Sequence, residues 1–530
     1  MGFYLNNKSK VSLYKSEMQR PYFVDKTLIL SELFPFVESG NSHICITRPR
    51  RFGKTVMANM IGAFFEKDED TKEIFDQLKI SKSPEYEKHR NKHDVIYIDF
   101  SKMPEDCNSY DQYIGRIINR LKKDLIREYP DADYEEEDAL WDILDCIFDM
   151  YDGQKFIFVM DEWDCVFHKT FITREDQQKY ISFLSNLLKD HGYVELSYMT
   201  GILPIARYNT QSALNNFSEY TILNPGKFAK YYGFTEDEVK TLCERYKLDF
   251  EITKFWYDGY KVGEYELYNP NSIIELINHG TYKSYWSATA AYDIVKEAIN
   301  LNFEGLKDDI IKLCSGTSIR IYDIESFNTA EKNFPNKDSI YVYLVHLGYL
   351  GYNDEDSTIY VPNEETRREL LHSVRDNHWP QYESALKLSE QVVVATENKD
   401  TETVANLLAK VHEDKVPVLE YNSESALRYV VLMSYLAAEK DYLAPLNEFP
   451  TGKGFADIVY LPKKVSKNGK PALIIELKKD ASSKVALEQI KERDYVSRVK
   501  EYTDNILLIG INYDSKSKQH SCIIEKYQKQ

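Results

Sequence analysis

Residues 47–55 have the types and the spacing needed to hold a chain of phosphates. They read Thr-Arg-Pro-Arg-Arg-Phe-Gly-Lys-Thr, after a short apolar run and before a stretch with helical spacing. The first turn of a helix offers unpaired N–H groups and a positive dipole end to an anion. Gly53 lets the backbone approach closely, Lys54 can reach the β- and γ-phosphates, and the Thr55 hydroxyl can ligate Mg²⁺. The segment therefore predicts a site for ATP and Mg²⁺.

The loop departs from the usual GxxxxGK[ST] pattern, because Arg48 occupies the first glycine position. Arginines at 48, 50 and 51 add positive charge that could hold phosphates or could face elsewhere. We include Arg50, Arg51 and Phe52 among the predicted nucleotide-binding residues. The alternative interpretation is a basic loop that only opens a helix.

Asp161 and Glu162 follow an apolar run at 156–160 and supply the carboxylates that such a site needs. We expect this strand end to lie beside the phosphate loop, where Asp161 would hold Mg²⁺ and Glu162 would polarise the attacking water as a general base. Thr200, at the end of the next strand candidate, is a candidate contact to the γ-phosphate. A plain Thr-Gly turn explains it nearly as well, and Arg207 is a weaker candidate still.

A second constellation lies near the C-terminus. Asp457 falls in one apolar run, and Glu476 and Lys478 fall in the next, on the same face because strand side chains alternate. Neighbouring strands would bring Asp457 and Glu476 together as ligands of Mg²⁺ or Mn²⁺. Lys478 could position the attacking water and offset charge on a phosphodiester transition state. The alternative is two amphipathic strands with solvated charges on one face.

The helix predicted after these strands carries Gln489 and Arg493, which are four residues apart and so share a face. That face is available to a nucleic-acid backbone, and we count Gln489 among the predicted catalytic residues. A further acid could join the metal site, and Glu424 and Glu448 are the candidates. The sequence does not choose between them, and each can equally be a surface acid.

Charge is distributed unevenly along the chain. The protein carries a net charge of −18, but the residues from Thr451 onward include 16 Lys and Arg against 10 Asp and Glu. A basic segment on an acidic chain is typical of a domain that faces nucleic acid, either DNA or RNA. A solvated lysine-rich surface is the plainer alternative.

Composition excludes several other classes of protein. No apolar run approaches the roughly 18 residues of a membrane helix, and the first ten residues lack the apolar core of a signal peptide. The seven cysteines are scattered and never spaced as CxxC, so neither a disulfide framework nor a zinc cluster is expected. We therefore expect a cytoplasmic protein with no membrane segment, and we leave assembly into a homo-oligomer open.

The elements that must position these residues can be read from the hydrophobic pattern. The chain has 530 residues, which predicts two to four domains. In the first third, near-continuous apolar runs alternate with helical segments, which is typical of a parallel sheet covered on both faces. We predict an α/β domain at 1–223, a mostly helical lid or connector at 224–417, and a last α/β domain at 418–530.

Individual elements are predicted as follows. The strands of the first domain are 43–47, 94–100, 155–160 and 194–200, and its phosphate loop leads into a helix at 56–65. The last domain contains helices at 425–437 and 484–500 and strands at 455–461, 472–478 and 505–512.

Taken together, these residues resemble a known arrangement. The chain is similar to bacterial and archaeal AAA-ATPase-like proteins fused to a PD-(D/E)XK nuclease-superfamily domain. The resemblance rests on these segments: 23–27 (FVDKT), 47–55 (TRPRRFGKT), 160–164 (MDEWD), 200–201 (TG), 256–260 (WYDGY), 268–270 (YNP), Asp457, Glu476-x-Lys478 and 489–495 (QIKERDY). It covers most of the chain and is thin between roughly 280 and 415.

The resemblance implies a P-loop NTPase-like parallel-sheet domain, a helical connector and a C-terminal α/β restriction-endonuclease-like domain. It implies ATPase roles for Lys54, Thr55, Asp161 and Glu162, and it makes Arg48 in place of glycine a family usage. It also implies nuclease roles for the three residues Asp457, Glu476 and Lys478. It does not supply a substrate.

Two functions follow as hypotheses. The first is an ATP-binding and ATP-hydrolysing protein whose metal-dependent nuclease domain cleaves nucleic acid. The alternative is a nucleotide-switched binding or signalling protein whose nuclease-like domain recognises a partner without cleavage. A stand-alone ATPase remodeller is a third, but the sequence offers no identifiable arginine finger for it.

Overall fold

The computed structural model describes most of the chain, and it divides that chain into two compact units. The described residues are 2–135, 137–205, 214–286, 303, 305–314, 316–324, 334, 336–376, 380–415, 424–443, 445–451, 454–463, 469–500 and 502–528. The first unit is Met1–Ser287 with Ile321–Ser357, and the second is Ala288–Arg320 with Thr358–Gln530.

A five-stranded parallel sheet forms the centre of the first unit. Its strands run in the order β2-β3-β4-β1-β5, and each pairs in parallel with its neighbour. The strands are β1 (Ser42–Thr47), β2 (Asp94–Asp99), β3 (Phe156–Asp161), β4 (Val194–Gly201) and β5 (Ser218–Tyr220). Alternate residues of β2 enter two different cores, since Ile96 and Ile98 belong to one and Val95 and Tyr97 to the other. Burial on both faces explains the apolar runs within β1, β2, β3 and β4, whereas the short edge strand β5 is partly exposed.

Helices and short strands surround this sheet. The helices are α1 (Ser9–Met18), α2 (Ile29–Ser39), α3 (Lys54–Phe65), α4 (Lys72–Phe75), α5 (Tyr86–His89), α6 (Tyr110–Glu128), α7 (Leu140–Met150), α8 (Arg174–Leu188), α9 (Glu236–Tyr246), α10 (Phe250–Tyr257), α11 (Pro270–His279) and α13 (Lys337–Leu347). The additional strands are β6 (Phe234–Thr235), β7 (Tyr260–Val262), β8 (Tyr265–Tyr268) and β10 (Gly351–Asn353). Strands β6, β8 and β7 form a small antiparallel sheet in that order.

The N-terminal segment covers the outer edge of β2. Leu5 forms an antiparallel bridge with Ile96. The Asn6 N–H donates to the Val95 carbonyl at 2.9 Å, and the Asn6 Oδ1 accepts from the Val95 N–H at 2.8 Å. The Tyr97 N–H donates to the Tyr4 carbonyl at 2.9 Å. The segment therefore satisfies backbone groups that an edge strand would otherwise expose.

A mixed five-stranded sheet forms the centre of the second unit. Its strands, in spatial order, are β12 (Leu446–Thr451), β13 (Gly454–Tyr460), β14 (Ala472–Lys479), β15 (Ile506–Asp514) and β16 (Gln519–Lys526). Only β14 and β15 pair in parallel among these strands. Strands β9 (Ile319–Arg320) and β11 (Thr358–Tyr360) form a separate antiparallel pair. The helices of this unit are α12 (Leu306–Cys314), α14 (Glu364–Asp376), α15 (Pro380–Glu397), α16 (Thr401–Lys415), α17 (Glu424–Ser434), α18 (Ser483–Glu492) and α19 (Val496–Val499).

The predicted fold class is confirmed, and the predicted strands agree with the observed ones to within two residues at each end. The prediction of one helix at 484–500 is wrong, because α18 ends at Glu492 and a turn precedes α19. Asp494 takes a left-handed φ of 51°, and the Tyr495 N–H donates back to the Ile490 carbonyl at 3.3 Å. This backbone pattern ends a helix, and it turns the Tyr495 side chain inward, where it is fully buried.

The predicted boundary at 223/224 stays a prediction, and the one at 417/418 lies outside the described residues. Within the described part of the chain, no helix is both long enough and apolar enough to cross a membrane.

Candidate functional site

The loop at 47–55 connects β1 to α3 through two left-handed residues. Gly53, immediately before the helix, has a φ of 86°, and Arg51 has a φ of 68°. Apart from Gly53 and its two chain neighbours, no described residue has an atom within 4 Å of the position that a Gly53 Cβ would take. Glycine is therefore required there by the backbone conformation and not by crowding.

Three side chains of the loop anchor it to its surroundings. The buried Arg48 guanidinium donates from Nη1 to the carbonyls of Thr47 and Tyr220, each at 2.8 Å. Arg51 donates from Nη1 to the Tyr285 carbonyl at 2.8 Å. The buried Phe52 packs edge-on against Tyr260, with ring centroids 5.1 Å apart. The question left open for Arg48 is therefore answered: it faces β5, and its role is to brace the loop.

Lys54 and the acids at the end of β3 lie close together, as predicted. The Lys54 Nζ donates to the carbonyls of Arg48 and Pro49, both at 3.2 Å, and lies 4.0 Å from the Glu162 Oε1. The Thr55 hydroxyl is close enough to the Asp161 carboxyl to lower its pKa, and the Tyr97 hydroxyl donates to the Asp161 Oδ2 at 3.5 Å. The strand order places β4 between β1 and β3, so the loop reaches Asp161 across one intervening strand.

Asp161 is fully buried and its charge is disfavoured in the fold. Burial, followed by the nearby Glu162 and Asp99 carboxylates, raises the pKa of Asp161 to about 7. The Asp161 Oδ1 is buried and has no hydrogen-bond partner among the described residues. A buried carboxylate oxygen without a partner, next to a second acid, fits a Mg²⁺ ion.

Glu162 stands at the start of the turn after β3. Its left-handed φ of 55° turns the chain sharply away from the strand. Burial raises the pKa of its carboxyl, while the Lys54 ammonium and the Arg50 guanidinium lower it. Arg50 is thus close enough to act on Glu162 electrostatically.

A cavity of about 300 Å³ opens beside the loop. Gly53, Lys54, Thr55 and Glu162 line its polar side. Its other side is formed by apolar and aromatic side chains, chiefly Tyr14, Tyr22, Phe23, Val24, Phe234 and Ile274. A pocket with a phosphate loop at one end and an aromatic wall at the other has the character of a nucleotide pocket.

The C-terminal constellation forms on one face of the second sheet. The pairing of Ile458 with Ile475 in β13 and β14 places Asp457 opposite Glu476. The Asp457 Oδ2 accepts from the Leu477 N–H at 2.7 Å. The predicted meeting of the two acids on one face therefore agrees with the geometry.

Glu476 is the centre of this group and is only 2% exposed. Its Oε1 accepts from the Lys478 Nζ at 2.9 Å and from the Gln489 Nε2. Gln489 also donates to the Tyr495 hydroxyl at 3.2 Å. Burial and then the Asp457 charge raise the pKa of Glu476. The Glu476 Oε2 is buried without a hydrogen-bond partner among the described residues, which fits a hard cation.

Separate family models match these two parts of the chain. One, a predicted AAA-ATPase, matches residues 14–210, and the other, the PD-(D/E)XK nuclease superfamily, matches residues 424–522. The protein joins an AAA-ATPase-like domain to a PD-(D/E)XK nuclease-superfamily domain.

Individual relatives are distant. An uncharacterized protein in the vnfD 5′ region of Azotobacter chroococcum mcd 1 is 23% identical over 275 residues, which are 51% of this chain and 50% of that protein. The chain thus spans about half the length of this curated relative.

Several solved structures also match, among them the following two. The ORC2 protein of Aeropyrum pernix is 10% identical with a TM-score of 0.31, over 70% of this chain and 93% of that one. Cdc6p of Pyrobaculum aerophilum is 10% identical with a TM-score of 0.26, over 71% and 99%.

Sequence reasoning missed two acids of the AAA-ATPase-like domain. Asp99 ends β2 and pairs in register with Asp161; its position after an apolar run is the same signal that identified Asp161. Asp164 is buried, and its Oδ2 accepts from the N–H groups of Ile202 and Leu203 at 3.0 and 2.9 Å. Asp164 therefore holds the segment that follows β4.

The remaining predicted residues of this domain are placed as follows. Thr200 is fully buried at the end of β4, and its Oγ1 has no hydrogen-bond partner within the part of the chain that the structure describes. Contact between Thr200 and a γ-phosphate stays a prediction. Arg207 lies outside the described residues.

In the nuclease-superfamily domain, the third acid stays undecided. The side chains of Glu424 and Glu448 lie outside the described residues, and no group of three or more His, Cys, Asp and Glu that could hold a metal occurs among those that are described. Arg493 is exposed just after α18. Sequence reasoning missed Arg428 of α17, whose Nη2 lies 3.7 Å from the Asp457 Oδ1.

Proposed function

We propose that the AAA-ATPase-like domain binds and hydrolyses ATP with Mg²⁺, and that the nuclease-superfamily domain cleaves nucleic-acid phosphodiesters with Mg²⁺ or Mn²⁺. One observation supports both halves: each domain holds a buried carboxylate with an oxygen that lacks a described partner, close to a lysine. The carboxylates are Asp161, which lies within the electrostatic reach of Lys54, and Glu476, which is hydrogen-bonded to Lys478.

In the ATPase half, bound Mg²⁺ would neutralise charge on the β- and γ-phosphates. Thr55 and Asp161 would hold that ion, since the Thr55 hydroxyl is near enough to lower the pKa of the Asp161 carboxyl. Lys54 is held by two backbone carbonyls and can exchange one of them for a phosphate oxygen. Glu162 lies within 4.0 Å of Lys54 and can orient water for in-line attack on the γ-phosphate.

In the nuclease half, a bound divalent cation would polarise the scissile phosphate and lower the pKa of an attacking water. Asp457 and Glu476 would hold it. Because Lys478 and Gln489 both donate to the Glu476 Oε1, the Oε2 is left to face the ion. The Lys478 ammonium can then offset the charge that develops on the phosphate.

The test uses the full chain with DNA and RNA substrates, Mg²⁺ or Mn²⁺, and ATP present or absent. We expect Lys478→Ala to lower the cleavage rate by about 100-fold and to leave ATP turnover unchanged. We expect Lys54→Ala to lower the rate of ATP turnover by about 100-fold and to leave cleavage unchanged. Lys479→Ala is the matched control, because its partly exposed side chain pairs with Asp480 at 3.9 Å. A wild-type chain that cleaves neither DNA nor RNA under any of these conditions would contradict the nuclease half.

Arg428 favours a second candidate, a nucleotide-switched binding protein. Its guanidinium, 3.7 Å from the Asp457 Oδ1, supplies positive charge where a cation would otherwise bind. This function predicts ATP-dependent capture of a partner with no cleavage and no loss of binding in Lys478→Ala. Cleavage by the wild-type protein that is lost in Lys478→Ala would exclude this second function. A cytoplasmic location and self-association stay expectations.

A further inference from the structure

A second cavity in the first unit has no role in the proposed chemistry. Its volume is about 470 Å³, and it lies at the carboxyl end of β2. It shares no lining residue with the cavity beside the phosphate loop. The N-terminal segment contributes Phe3 and Tyr4 to its wall, α1 contributes Lys10, and α6 contributes Arg116.

The cavity is lined by more positive than negative charge. Three cations face it, Lys10, Lys102 and Arg116, against the single acid Asp99. Asp99 forms an ion pair with Lys102 at 3.4 Å. Lys10 and Arg116 are therefore the two cations whose charge no acid of the cavity wall offsets at ion-pair distance.

Lys10 is an unusual lysine because it is 6% exposed and forms no ion pair or side-chain hydrogen bond with any described residue. Its Nζ lies 3.5 Å from the centroid of the Tyr97 ring. Burial, and next the Lys102 charge, lower the pKa of Lys10 to about 8. Gly62 in α3 permits this arrangement, because a Cβ there would come within 3.2 Å of the Tyr97 ring. A buried ammonium is normally accompanied by an anion.

Arg116 approaches the cavity from a different element. Its guanidinium lies 5.9 Å from the centroid of the Phe3 ring, and the Arg120 guanidinium lies 4.6 Å from the same ring. Lysine supplies a compact charge and arginine a planar fork of donors, a combination that suits a phosphate group. The neighbouring Phe3 and Tyr4 rings add an apolar wall, and the volume suffices for a small nucleotide.

We propose that this cavity binds a small phosphate-bearing ligand, with the phosphate group between Lys10 and Arg116. Free phosphate and a nucleoside monophosphate share this chemistry. Of these two ligands, only the nucleoside monophosphate has a base that the aromatic wall can contact. The site goes beyond the proposed ATP hydrolysis and does not depend on it.

The experiment titrates inorganic phosphate and, separately, AMP into the full chain saturated with Mg²⁺ and a non-hydrolysable ATP analogue, by isothermal titration calorimetry. We expect one equivalent of ligand to bind, and Lys10→Met and Arg116→Gln each to weaken binding by about tenfold. Lys8→Met is the matched control, since Lys8 is a partly exposed neighbour paired with Glu69. Two variants are used because Lys10 is buried and its replacement can disturb folding.

Tighter binding of AMP than of phosphate supports the site and identifies a nucleotide ligand, whereas equal or weaker binding of AMP supports free phosphate. The same titrations in Lys54→Ala without the analogue separate this site from the ATP site, and binding should persist there. Absence of binding for both ligands, equal loss in Lys8→Met, or displacement of the ligand by the ATP analogue would each overturn the proposal.

Discussion

Burial disfavours the charged form of Asp161, whereas the proposed binding of Mg²⁺ requires that charged form. Its pKa is raised from 3.8 to about 7 by burial and by the neighbouring Glu162 and Asp99. The folded chain therefore holds this proton more tightly than the unfolded chain does. The stability that Asp161 contributes is lost as the pH rises from 3.8 through about 7. Above that window the ionised carboxylate destabilises the nucleotide-free fold, and a bound cation would remove the penalty.

We expect Asp161→Asn to raise the melting temperature of the nucleotide-free protein at pH 8 and to change it little at pH 4, because only the first pH ionises the wild-type side chain. The same change should weaken binding of a Mg²⁺-bound ATP analogue by about tenfold or more, since a charged ligand is lost. Thermal unfolding at the two pH values and calorimetric titration measure the two effects.

Asp190→Asn is the control for that change, because Asp190 is exposed and asparagine tolerates its left-handed φ of 61°. An Asp161→Asn protein that is no more stable than the wild type at pH 8, while Asp190→Asn is unchanged, would contradict the role of burial.

The sequence was sufficient to predict those site residues whose neighbours are set by local pattern. Glu476 and Lys478 share a face because strand side chains alternate, and Asp161 was found because it ends an apolar run. The inward direction of Arg48 could not be predicted, since its partner carbonyl belongs to Tyr220, 172 positions away in the sequence. Arg428 was missed for a similar reason, because its approach to Asp457 depends on how α17 packs against the sheet.

At the scale of elements, the seven predicted strands agree with observed strands to within two residues at each end, whereas β5, β12, β16 and the end of α18 were not predicted. A short apolar run with turn residues on both sides predicts a strand. Residues 484–500 have continuous helical character, however, and the left-handed turn at Asp494 has no glycine to mark it. That turn places the Tyr495 hydroxyl where it accepts a hydrogen bond from the Gln489 Nε2 at 3.2 Å. The aromatic wall of the cavity beside the loop at 47–55 was missed because its side chains come from separate elements.

The end of β4, beside the turn after β3, leaves no room for an added methyl group at Gly201. A Cβ on Gly201 would lie 2.5 Å from both the Asp164 Oδ1 and the Trp163 Cδ1. We expect Gly201→Ala to destabilise the first unit by about 2 kcal/mol, since overpacking a tight site typically has this effect. Chemical denaturation followed by circular dichroism measures the change.

Gly115→Ala provides the comparison, because Gly115 lies within α6 and no described atom is within 4 Å of its added Cβ. Alanine should stabilise that helix by about 0.5–1 kcal/mol. If Gly201→Ala were as stable as Gly115→Ala, the packing described for Asp164 and Trp163 would be wrong.

On the scale of the whole molecule, the C-terminal part of the chain differs from the rest in the sign of its net charge. The net charge is −18, yet the residues from Thr451 onward are basic. If the C-terminal domain engages a nucleic-acid backbone, binding must occur against repulsion from the acidic remainder. Salt screens that repulsion, but affinity should still fall as salt is added, because each phosphate contact releases counterions from the nucleic acid.

We expect the logarithm of the affinity for a DNA duplex to fall linearly with the logarithm of the salt concentration, with a slope of about −0.9 for each phosphate contact. Arg493→Ala should make this slope shallower by about one unit, since Arg493 is exposed beside α18. Fluorescence anisotropy across a salt series measures it. Lys247→Ala is the control, because it removes another exposed cation, one that lies in the first unit. Equal changes of slope in both variants would argue against a local backbone contact.

The N-terminal segment that covers the outer edge of β2 affects whether copies of the protein can associate in solution. Residues 4–6 occupy the outer edge of β2 through backbone bonds to Val95 and Tyr97. A chain that lacked residues 2–7 would present a long, apolar and unpaired strand edge, which is a template for pairing with another copy. We expect light scattering to detect aggregation of this shortened protein at concentrations where the intact protein and Asn6→Ala remain clear. An intact protein and a shortened protein that scatter light equally would show that these backbone bonds do not limit pairing between copies at this edge.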